Sequence, residues 1–400
     1  QEAEELVYLG GPLCTSADQW HSGVALPRAQ VGDLVAIMNS GAYGLSASMT
    51  LFLSHGIPAE VMVDGGQAHL IRTRSTPEDL LRHQKPVGTR IITTFAEMQR
   101  WSKEQRAAGR RIGYVPTLGC LHEGHATLIR AAAEECDAIA VSAFVNPLQF
   151  RPAKFAAYPR NLQADVALSA REGAEVVFAP EWSEMYPGVT EASLFLGQEL
   201  PESERPQSEF TALAPWGESG PQFLRTPSAL ACRMDGAHHP WHFDGVCTVV
   251  ARLFEAVQPD RAYFGEKDPQ QVAILTRLNA WLGDKIQLRL VPTFRDPDGL
   301  AASSRNTQLS PKQRERACAV ASVFRAGAEQ VRASGASFSE VRSQWEAKFA
   351  NLEVEIDYSD LLDPLTLDSI DALPPHGEVL LYLAYFIDGL RLTDTWRLKP

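Results

Sequence analysis

The strongest constraint on the fold is a regular alternation of short apolar runs and helix-like stretches that begins after about residue 90. The predicted strands are the apolar runs 111–115, 138–145, 174–179, 262–264 and 286–291. The predicted helices are the periodic stretches 122–135, 162–173, 246–257 and 268–282. Strands and helices that alternate in this way form a parallel sheet covered on both faces, with ligands at the carboxyl ends of its strands. The sequence therefore predicts an α/β fold.

The first 85 residues follow a different pattern. Short β-rich runs at 31–38, 59–63 and 69–72 are separated by Gly, Pro and Asp-Gly turns, which indicates a small all-β module. Residues 81–90, with the sequence LRHQKPVGTR, are polar and contain Pro and Gly. We therefore predict a linker at this place.

The chain after residue 296 is predicted to be a small α+β domain. Two helical stretches follow residue 310, and β-like segments lie at 354–358 and 379–386. Upstream, residues 196–232 are rich in Pro, Ser, Glu and Gln and lack periodicity, which predicts an inserted loop. The predicted domains are 1–85, 90–295 and 296–400.

Composition excludes several classes of protein. The chain has 45% hydrophobic and 22% charged residues, as expected of a globular protein with buried cores. Its net charge of −12 argues against a surface for nucleic acid or for an anionic membrane, because such surfaces need clustered Lys and Arg. The six cysteines lack zinc-binding spacing, and no apolar run reaches the roughly 18 residues of a membrane span. We expect a cytoplasmic protein with reduced thiols and no membrane or nucleic-acid partner.

The motif with the clearest chemical meaning is PTLGCLHEGH at residues 116–125, where a predicted strand gives way to a helix. A helix start presents unpaired N–H groups and the positive end of the helix dipole, which favour phosphate. His122 and His125 lie on one face of the first turn and can donate hydrogen bonds to phosphate oxygens. Gly124 allows a nucleotide to approach the backbone. The alternative is that both histidines only cap the helix or are half-buried.

A second segment, FVNPLQF at residues 144–150, follows the next predicted strand. The side-chain amides of Asn146 and Gln149 both donate and accept hydrogen bonds, which suits a substrate with hydroxyl and carboxylate groups. An Asn-Pro turn without a ligand has the same composition.

A third segment, FGEKDPQQ at residues 264–271, repeats the strand-glycine-helix arrangement and adds a cation. Lys267 can neutralise phosphates, and Asp268 can cap the helix or hold ribose or Mg2+. Gln271 faces the same side one turn later. An exposed surface turn is the alternative explanation.

The fourth segment, DGLAASSRN at residues 298–306, supplies Ser303, Ser304 and Arg305 on a loop that begins with glycine. Such a loop can close over a triphosphate, with the guanidinium stabilising charge on the leaving pyrophosphate, although a Ser-Ser helix cap has the same residues. No Ser-His-Asp or Cys-His set is present in the sequence pattern, so covalent catalysis by the protein is not expected.

In this order the motifs resemble those of the pantothenate synthetase family, over residues 91–400. The family patterns PTMGALHEGH, FVNPxQF, YPR, HFxGV, FGEKDxQQ and DGLAxSSRN are matched here by PTLGCLHEGH, FVNPLQF, YPR, HFDGV, FGEKDPQQ and DGLAASSRN. The resemblance implies a Rossmann-like nucleotidyltransferase domain, a C-terminal lid domain, use of ATP with Mg2+, and a homodimer. It also implies that pantoate and ATP give pantoyl adenylate, whose acyl carbon the amine of β-alanine then attacks.

The resemblance also implies roles for single residues. His122 and His125 match the phosphate-binding pair, and Gln149 and Gln271 match the pantoate-binding glutamines, with Asn146 and His242 expected beside the same substrate. The expected ATP contacts are Pro116, Thr117, Leu118, His122, His125, Gly265, Lys267, Asp268, Ser303, Ser304 and Arg305. The residues expected to act in catalysis are His122, His125, Lys267, Ser303, Ser304 and Arg305. Asp268 is also the expected metal ligand.

The segment at residues 239–245, HPWHFDG, departs from the family pattern Arg-Pro-Gly-His-Phe-Arg-Gly. Two arginines are replaced by His239 and Asp244, and a glycine is replaced by Trp241. This segment is expected near the amine, so the sequence predicts that the partner of the β-alanine carboxylate is missing. The alternatives are a ligase that uses another amine acceptor, a nucleotidylyltransferase that stops after adenylation, and a non-catalytic scaffold.

Residues 1–85 have a resemblance of their own. The segments at 11–18, 40–46 and 58–61 are similar to the C-terminal β-domain of PLP-dependent decarboxylases of the alanine-racemase fold, in which Cys14, Asp18 and Tyr43 match site residues. The barrel and its Schiff-base lysine have no counterpart here, and the chain begins with Gln1. The hypothesis from these observations is a natural fusion in which a decarboxylase supplies the amine to the ligase.

Overall fold

The computed structural model describes residues 4–11, 15, 18–38, 56–76, 79, 88–190, 194, 205–215, 222–334 and 337–399. Three sets of predictions lie outside the described residues: most of the linker at 81–90, Cys14 and Tyr43 of the decarboxylase-like motifs, and positions 196–204 and 216–221 of the predicted loop. The chain divides into two compact units, Gln1–Lys85 and Pro86–Pro400.

The regular elements described in the first unit are four strands paired as antiparallel hairpins. β1 (Glu4–Gly10) pairs with β2 (Gln19–Pro27), and β3 (Glu60–Asp64) pairs with β4 (Gln67–Arg72). The glycines at 65 and 66 join β3 to β4 with φ angles of 55° and 79°, the left-handed backbone of a two-residue hairpin turn. The prediction of a small β module is confirmed.

The predicted strand at 31–38 is wrong. The backbone turns at Val31 and Gly32 and then continues without regular structure to Met38. The side chains of Val31 and Leu34 are 109% and 98% exposed, so this apolar run does not pack into a core. A strand needs a neighbour for its backbone hydrogen bonds, and among the described residues no strand pairs with this segment.

The second unit contains the predicted alternation of strands and helices. Its strands are β5 (Arg90–Ile92), β6 (Ile112–Val115), β7 (Ala138–Ser142), β8 (Val176–Phe178), β9 (Thr211–Pro215), β10 (Gln222–Arg225), β11 (Arg261–Gly265), β12 (Gln287–Val291), β13 (Glu355–Leu362), β14 (Val379–Ile387) and β15 (Leu390–Leu398). Its α-helices are α1 (Phe95–Ala107), α2 (Glu123–Glu135), α3 (Pro152–Ala156), α4 (Leu162–Arg171), α5 (Trp182–Met185), α6 (Ser228–Ala231), α7 (Pro240–Val257), α8 (Pro269–Trp281), α9 (Pro311–Ser334) and α10 (Phe338–Ala350). Three short 3-10 helices are Pro147–Gln149, Met234–Ala237 and Ser304–Gln308. Within the described helices, none has the length and apolar character needed to cross a membrane.

Six strands form one parallel sheet in the order β12-β11-β6-β7-β8-β5. β6, β7 and β8 are buried along their whole lengths, as expected of strands covered by helices on both faces. The direction of strand addition reverses at β6, which has β7 on one side and β11 on the other. Ligands of such sheets bind at the carboxyl ends of the strands beside this reversal. The predicted α/β, Rossmann-like fold is confirmed.

The prediction of an aperiodic loop at 196–232 is wrong for its described part. β9 and β10 form an antiparallel hairpin, and α6 follows it. The backbone N–H of Leu224 donates to Thr248 Oγ1 on α7 at 2.9 Å. Contacts with a distant helix organise this segment, and a local sequence pattern does not reveal them.

The C-terminal part packs α9 and α10 against an antiparallel sheet of β13, β14 and β15. Trp345 of α10 is buried in this core, and a Cβ added to Gly327 of α9 would lie 2.3 Å from its ring. Glycine at 327 is therefore what lets the two helices approach around the indole. The α+β prediction for this part is confirmed, whereas the domain boundary at residue 296 stays a prediction.

Candidate active site

The sequence motifs converge at the carboxyl ends of three neighbouring strands. β6 leads into residues 116–125, β7 into residues 144–150, and β11 into residues 264–271. The fourth motif reaches the first, because a Cβ added to Gly124 would lie 3.5 Å from the Cβ of Ala302. Four segments that are distant in sequence thus surround one crevice.

His122 and His125 form a cap at the start of α2. Nδ1 of His122 accepts a hydrogen bond from the backbone N–H of Gly124 at 3.1 Å, and Nδ1 of His125 accepts from the backbone N–H of His122 at 3.2 Å. A neutral imidazole that accepts at Nδ1 carries its proton at Nε2. The two tilted rings, whose centroids are 4.1 Å apart, therefore each carry an Nε2–H donor. Capping and phosphate binding are compatible here rather than alternatives.

Burial and nearby positive charge keep both imidazoles neutral. Burial, followed by the Lys267 ammonium, lowers the pKa of His122. Burial, then His122 and Lys267, lowers the pKa of His125 to about 3. Lys267 is therefore within electrostatic reach of both rings, so a cation lies near two neutral N–H donors.

Hydrogen bonds to β7 hold the loop that leads to the histidines. The backbone N–H of Thr117 donates to Ser142 Oγ at 3.1 Å, and Thr117 Oγ1 donates to the Ser142 carbonyl. Thr117 is buried, whereas Pro116 and Leu118 are half-buried on the same loop. Thr117 therefore positions the loop, and direct ATP contacts of these three residues stay predictions.

Sequence reasoning missed Asp165, a buried residue of α4. Its carboxylate accepts hydrogen bonds from the backbone N–H groups of Cys120 at 3.1 Å and Leu121 at 2.7 Å. Cys120 has a φ of 55°, a left-handed conformation that is unfavourable for a residue with a side chain. Asp165 stabilises this turn directly before His122. Nothing in the local sequence of α4 distinguishes Asp165 from a surface carboxylate, so no sequence signal could have found it.

Asn146 and Gln149 have different roles. Asn146 is completely buried; its Oδ1 accepts from Tyr186 Oη at 2.8 Å, and its Nδ2 donates to Gln149 Oε1 at 3.0 Å and to the Gly245 carbonyl at 3.0 Å. Protein groups therefore use both ends of the Asn146 amide, which positions Gln149, and a direct substrate contact of Asn146 stays a prediction. The Oε1 atom of Gln149 accepts from Asn146, so the NH2 group of Gln149 remains as a donor for a substrate carboxylate or hydroxyl.

The glutamines at the start of α8 also divide into two roles. Gln270 is buried and bonds the backbone at Gly236, Leu230 and Arg233. Gln271 is half-buried, and its side chain makes no hydrogen bond within the described part of the chain. Of the pair, Gln271 is the one available to a substrate.

The C-terminal sheet docks on the loop that carries Lys267. Thr395 Oγ1 donates to the Lys267 carbonyl at 2.7 Å, and Arg397 pairs with Glu266 at 2.6 Å. Asp268 is exposed at the N-cap position of α8, where its side chain makes no capping hydrogen bond. Gly265 ends β11 with open space around its Cα, so the backbone can be approached at this point.

A small cleft lies between this loop and the C-terminal sheet, lined by Lys267, Leu300, Ala301, Ser303, Arg305, Asn306, Tyr385, Leu392, Thr393 and Asp394. Ser303 Oγ accepts the backbone N–H of Arg305 at 3.2 Å, and Arg305 Nη1 donates to the Arg391 carbonyl at 3.1 Å. Ser304 is exposed and is not among the lining residues. The structure therefore brings Lys267, Ser303 and Arg305 together and leaves Ser304 aside.

His242, in the first turn of α7, bonds the segment that carries Gln149. Its Nδ1 donates to the Gln149 carbonyl at 3.0 Å, because a carbonyl only accepts. Burial lowers the pKa of His242, so the ring is neutral and its Nε2 is an acceptor. His242 is thus the opposite tautomer of His122 and His125.

Asp244, one of the departures from the family pattern at 239–245, binds another segment of the protein. It is completely buried and pairs with Arg205 at 2.9 Å and with Arg225 at 2.8 Å, both contributed by the segment 196–232. The backbone N–H of Thr226 also donates to it at 2.8 Å. Asp244 therefore fastens the inserted hairpin to α7.

A family model described as pantoate-beta-alanine ligase matches residues 90–397. The chain belongs to this family. Family membership makes it a ligase that forms carbon–nitrogen bonds and uses ATP. Residues 1–41 match a second model, the C-terminal sheet domain of pyridoxal-dependent decarboxylases, which confirms the resemblance found in the first unit.

Curated relatives agree with the family match. The pantothenate synthetase of Acidothermus cellulolyticus is 40% identical over 291 residues, which are 72% of this chain and 86% of the relative. The pantothenate synthetase of Corynebacterium glutamicum is 39% identical over 291 residues, 71% of this chain and 92% of the relative. The ligase activity therefore needs no fused decarboxylase to explain it.

Solved structures show the same fold. Pantothenate synthetase from Thermus thermophilus superposes with a TM-score of 0.62 at 36% identity, covering 78% of this chain and 100% of that one. The ligase from Francisella tularensis, complexed with beta-gamma ATP and beta-alanine, gives a TM-score of 0.54 at 27% identity over 76% of this chain and 96% of that one.

Proposed function

We propose that the chain condenses pantoate with β-alanine in two steps. A pantoate carboxylate oxygen attacks the α-phosphorus of ATP, and pyrophosphate leaves. The β-alanine nitrogen then attacks the acyl carbon of the pantoyl adenylate, AMP leaves with the carboxyl oxygen, and the nitrogen loses one proton. The observation that carries the proposal is the pair of capped imidazoles, which carry Nε2–H donors within electrostatic reach of Lys267.

The roles of the residues follow from the charges that move. Negative charge builds on the α-phosphate and on pyrophosphate, so we assign His122, His125 and Lys267 to the phosphates and Arg305 to the leaving group. Gln149 and Gln271 orient the acid with amide donors. His242, whose Nε2 accepts, is our candidate for taking the proton that the amine loses.

The donor set around Asp268 suits Mg2+ held mainly by ATP. No group of three or more metal-binding side chains is found among the described residues, and Asp268 is a single exposed carboxylate. Mg2+ is commonly held by one or two carboxylates together with substrate phosphates, so we assign Asp268 to it. When bound, Mg2+ neutralises charge on the phosphates. Homodimer formation and a cytoplasmic location remain proposals from the sequence.

Isotope exchange and nucleotide release test the two steps separately. With pantoate, ATP and labelled pyrophosphate, we expect exchange of label into ATP without any amine. Adding β-alanine should then release AMP in equal amount to the amide formed. Pantoate-dependent exchange without AMP release in the presence of amines would instead indicate a nucleotidylyltransferase, and absence of exchange would contradict adenylation.

A further inference from the structure

The Lys267 ammonium has a buried carboxylate for a neighbour but does not pair with it. Lys267 and Asp394 line the same small cleft, and within the described part of the chain the ammonium makes no hydrogen bond or ion pair. Both oxygens of Asp394 accept from Arg295 instead, Oδ1 from Nη2 at 2.7 Å and Oδ2 from Nη1 at 2.8 Å. Arg295 therefore occupies the carboxylate that Lys267 would otherwise attract.

The Arg295 guanidinium is fixed by further contacts. Its Nη1 donates to the Gly299 carbonyl at 3.2 Å, and its Nη2 donates to the Thr395 carbonyl at 3.3 Å. The guanidinium carbon also lies 4.2 Å from the centre of the Trp396 ring. A bidentate pair that is stacked on an aromatic ring holds a planar guanidinium in one orientation. Arg295 is thus a built part of the cleft wall.

Thr395 connects this ion pair to the backbone of Lys267. The backbone N–H of Thr395 donates to Asp394 Oδ1 at 2.7 Å, and its Oγ1 donates to the Lys267 carbonyl at 2.7 Å. Thr395 is buried, so water does not compete for either contact. One residue of β15 therefore sets where the Lys267 side chain begins.

Two other arginines pair with the carboxylates that adjoin the cleft in sequence. Arg397 pairs with Glu266 at 2.6 Å, and Arg314 pairs with Asp296 at 2.7 Å and with Asp298 at 2.8 Å. These three acids are therefore matched by cations other than Lys267.

Electrostatics supports the closeness of Asp394 and Lys267. Burial raises the pKa of Asp394, and the charges of Arg295 and Lys267 oppose that rise. An ammonium and a carboxylate attract each other more strongly in a partly buried cleft than in water. Without Arg295, we therefore expect Asp394 to pair with Lys267.

We propose that Arg295 and Thr395 are positioning residues for the reaction of ATP. Arg295 holds Asp394, so that this carboxylate does not capture the Lys267 ammonium. Thr395 fixes the backbone from which Lys267 reaches the phosphates. This inference rests on the proposed ligase function and specifies how the protein keeps that cation available.

A pair of variants separates charge from packing. Arg295→Gln leaves Asp394 beside Lys267, and KM for ATP in pantoate-dependent pyrophosphate exchange should rise roughly 10- to 100-fold. In Arg295→Gln/Asp394→Asn the competing carboxylate is gone as well, so KM for ATP should return to within about 3-fold of the wild type. An ion pair that only stabilises the fold gives no such recovery. A double variant with the same KM for ATP as Arg295→Gln would overturn the role of Arg295.

A second pair of variants leaves every charge in place. Thr395→Val keeps the shape of the side chain but loses the donor to the Lys267 carbonyl, whereas Thr395→Ser keeps the donor. We expect KM for ATP to rise about 5- to 10-fold in Thr395→Val, to stay near the wild-type value in Thr395→Ser, and KM for pantoate to be unchanged in both. A wild-type KM for ATP in Thr395→Val would overturn the role of Thr395.

Arg316→Gln is the matched control, because Arg316 also pairs with a carboxylate, that of Asp388, and donates to the Leu352 carbonyl at 2.9 Å. Its KM for ATP should equal that of the wild type. Pyrophosphate exchange by the wild-type protein tests the ligase function itself. Absence of that exchange contradicts the ligase function, whereas wild-type exchange with an unaltered KM for ATP in the variants overturns this inference alone.

Discussion

Nδ1 of His122 accepts the backbone N–H of Gly124 at 3.1 Å, so the imidazole folds back over the glycine that lies two residues after it. A Cβ at position 124 would lie 2.9 Å from His122 Cε1 and 3.0 Å from Nδ1. The absence of a side chain at 124 is therefore needed by the protein's own histidine, whether or not a nucleotide is bound. This contact leaves Nε2 as the nitrogen of His122 that is available to a ligand.

Gly124→Ala is expected to separate stability from activity. Alanine is favoured over glycine in a helix by up to about 1 kcal/mol, so the free energy of unfolding should stay similar or rise. The added methyl group displaces the His122 ring, and the rate of pantoate-dependent pyrophosphate exchange should fall at least ~10-fold. Denaturant unfolding and exchange assays check the two expectations. Glu134→Ala, an exposed change on the same helix, is the control, and full exchange activity in Gly124→Ala would contradict the role of the contact.

Asp165→Ala is expected to impair both folding and adenylation. The change leaves the N–H groups of Cys120 and Leu121 without their acceptor, and hydrogen bonds to charged groups contribute about 1.5–3 kcal/mol each. We expect a loss of roughly 2–4 kcal/mol in the free energy of unfolding, and slower exchange because the turn before His122 loosens. Asp165→Asn keeps one oxygen acceptor and should lie between the wild type and Asp165→Ala. Equal stability of all three proteins in urea would show that the loop does not depend on Asp165.

The fold was predictable where the pattern is local, and the prediction failed where distant contacts decide. The strands around the crevice are buried on both faces, so their apolar runs are visible in the sequence, and Pro269 after Asp268 indicates where α8 starts. The exposed apolar run at Val31 looks like a strand locally, yet among the described residues it lacks a partner strand. The segment that carries β9 and β10 is bound by Asp244, and no local pattern connects the two.

The sequence predicts which residues form the site, but it does not predict which of their atoms are free to bind a ligand. Chain order and helix starts indicate that His122, Lys267 and Arg305 belong together. The tautomers of the histidines and the orientation of the Gln149 amide depend on hydrogen bonds to Gly124 and Asn146, which only the structure reveals.

Asn146→Asp is expected to weaken pantoate binding without changing ATP binding. A carboxylate still accepts from Tyr186, but it cannot donate to Gln149 Oε1. Gln149 is then free to rotate its amide, and the donor for the acid is lost. We expect KM for pantoate to rise about 10-fold, the effect of one lost hydrogen bond to a charged group, with KM for ATP nearly constant. Exchange assays at varied pantoate and varied ATP separate the two constants, and a rise in KM for ATP alone would contradict this assignment.

The depressed pKa of His125 predicts lower stability in mild acid. The folded pKa of about 3 lies below the ordinary value of 6.5, so between these values the unfolded chain binds a proton that the folded chain excludes. The free energy of unfolding therefore falls as the pH drops below about 6.5, by roughly 1–2 kcal/mol at pH 5 from this residue. Thermal unfolding at pH 7.5 and pH 5 should show a smaller difference for His125→Asn than for wild type. An equal difference in both proteins would assign the acid sensitivity to other groups.

Asp244→Asn is expected to be more destabilising than any of the changes above. It removes the carboxylate charge that the buried guanidiniums of Arg205 and Arg225 both contact, and breaking a buried pair in this way costs about 3–5 kcal/mol. Asp368→Asn, which breaks an exposed pair with Arg233, should change the free energy of unfolding far less and serves as the control. Urea unfolding of the two variants gives the comparison. Since Asp244 fastens the hairpin rather than the substrate, we expect KM for β-alanine in Asp244→Asn to stay close to that of the wild type. KM is measured at a temperature where the variant is folded. A large selective rise in KM for β-alanine would indicate that Asp244 acts at the amine site.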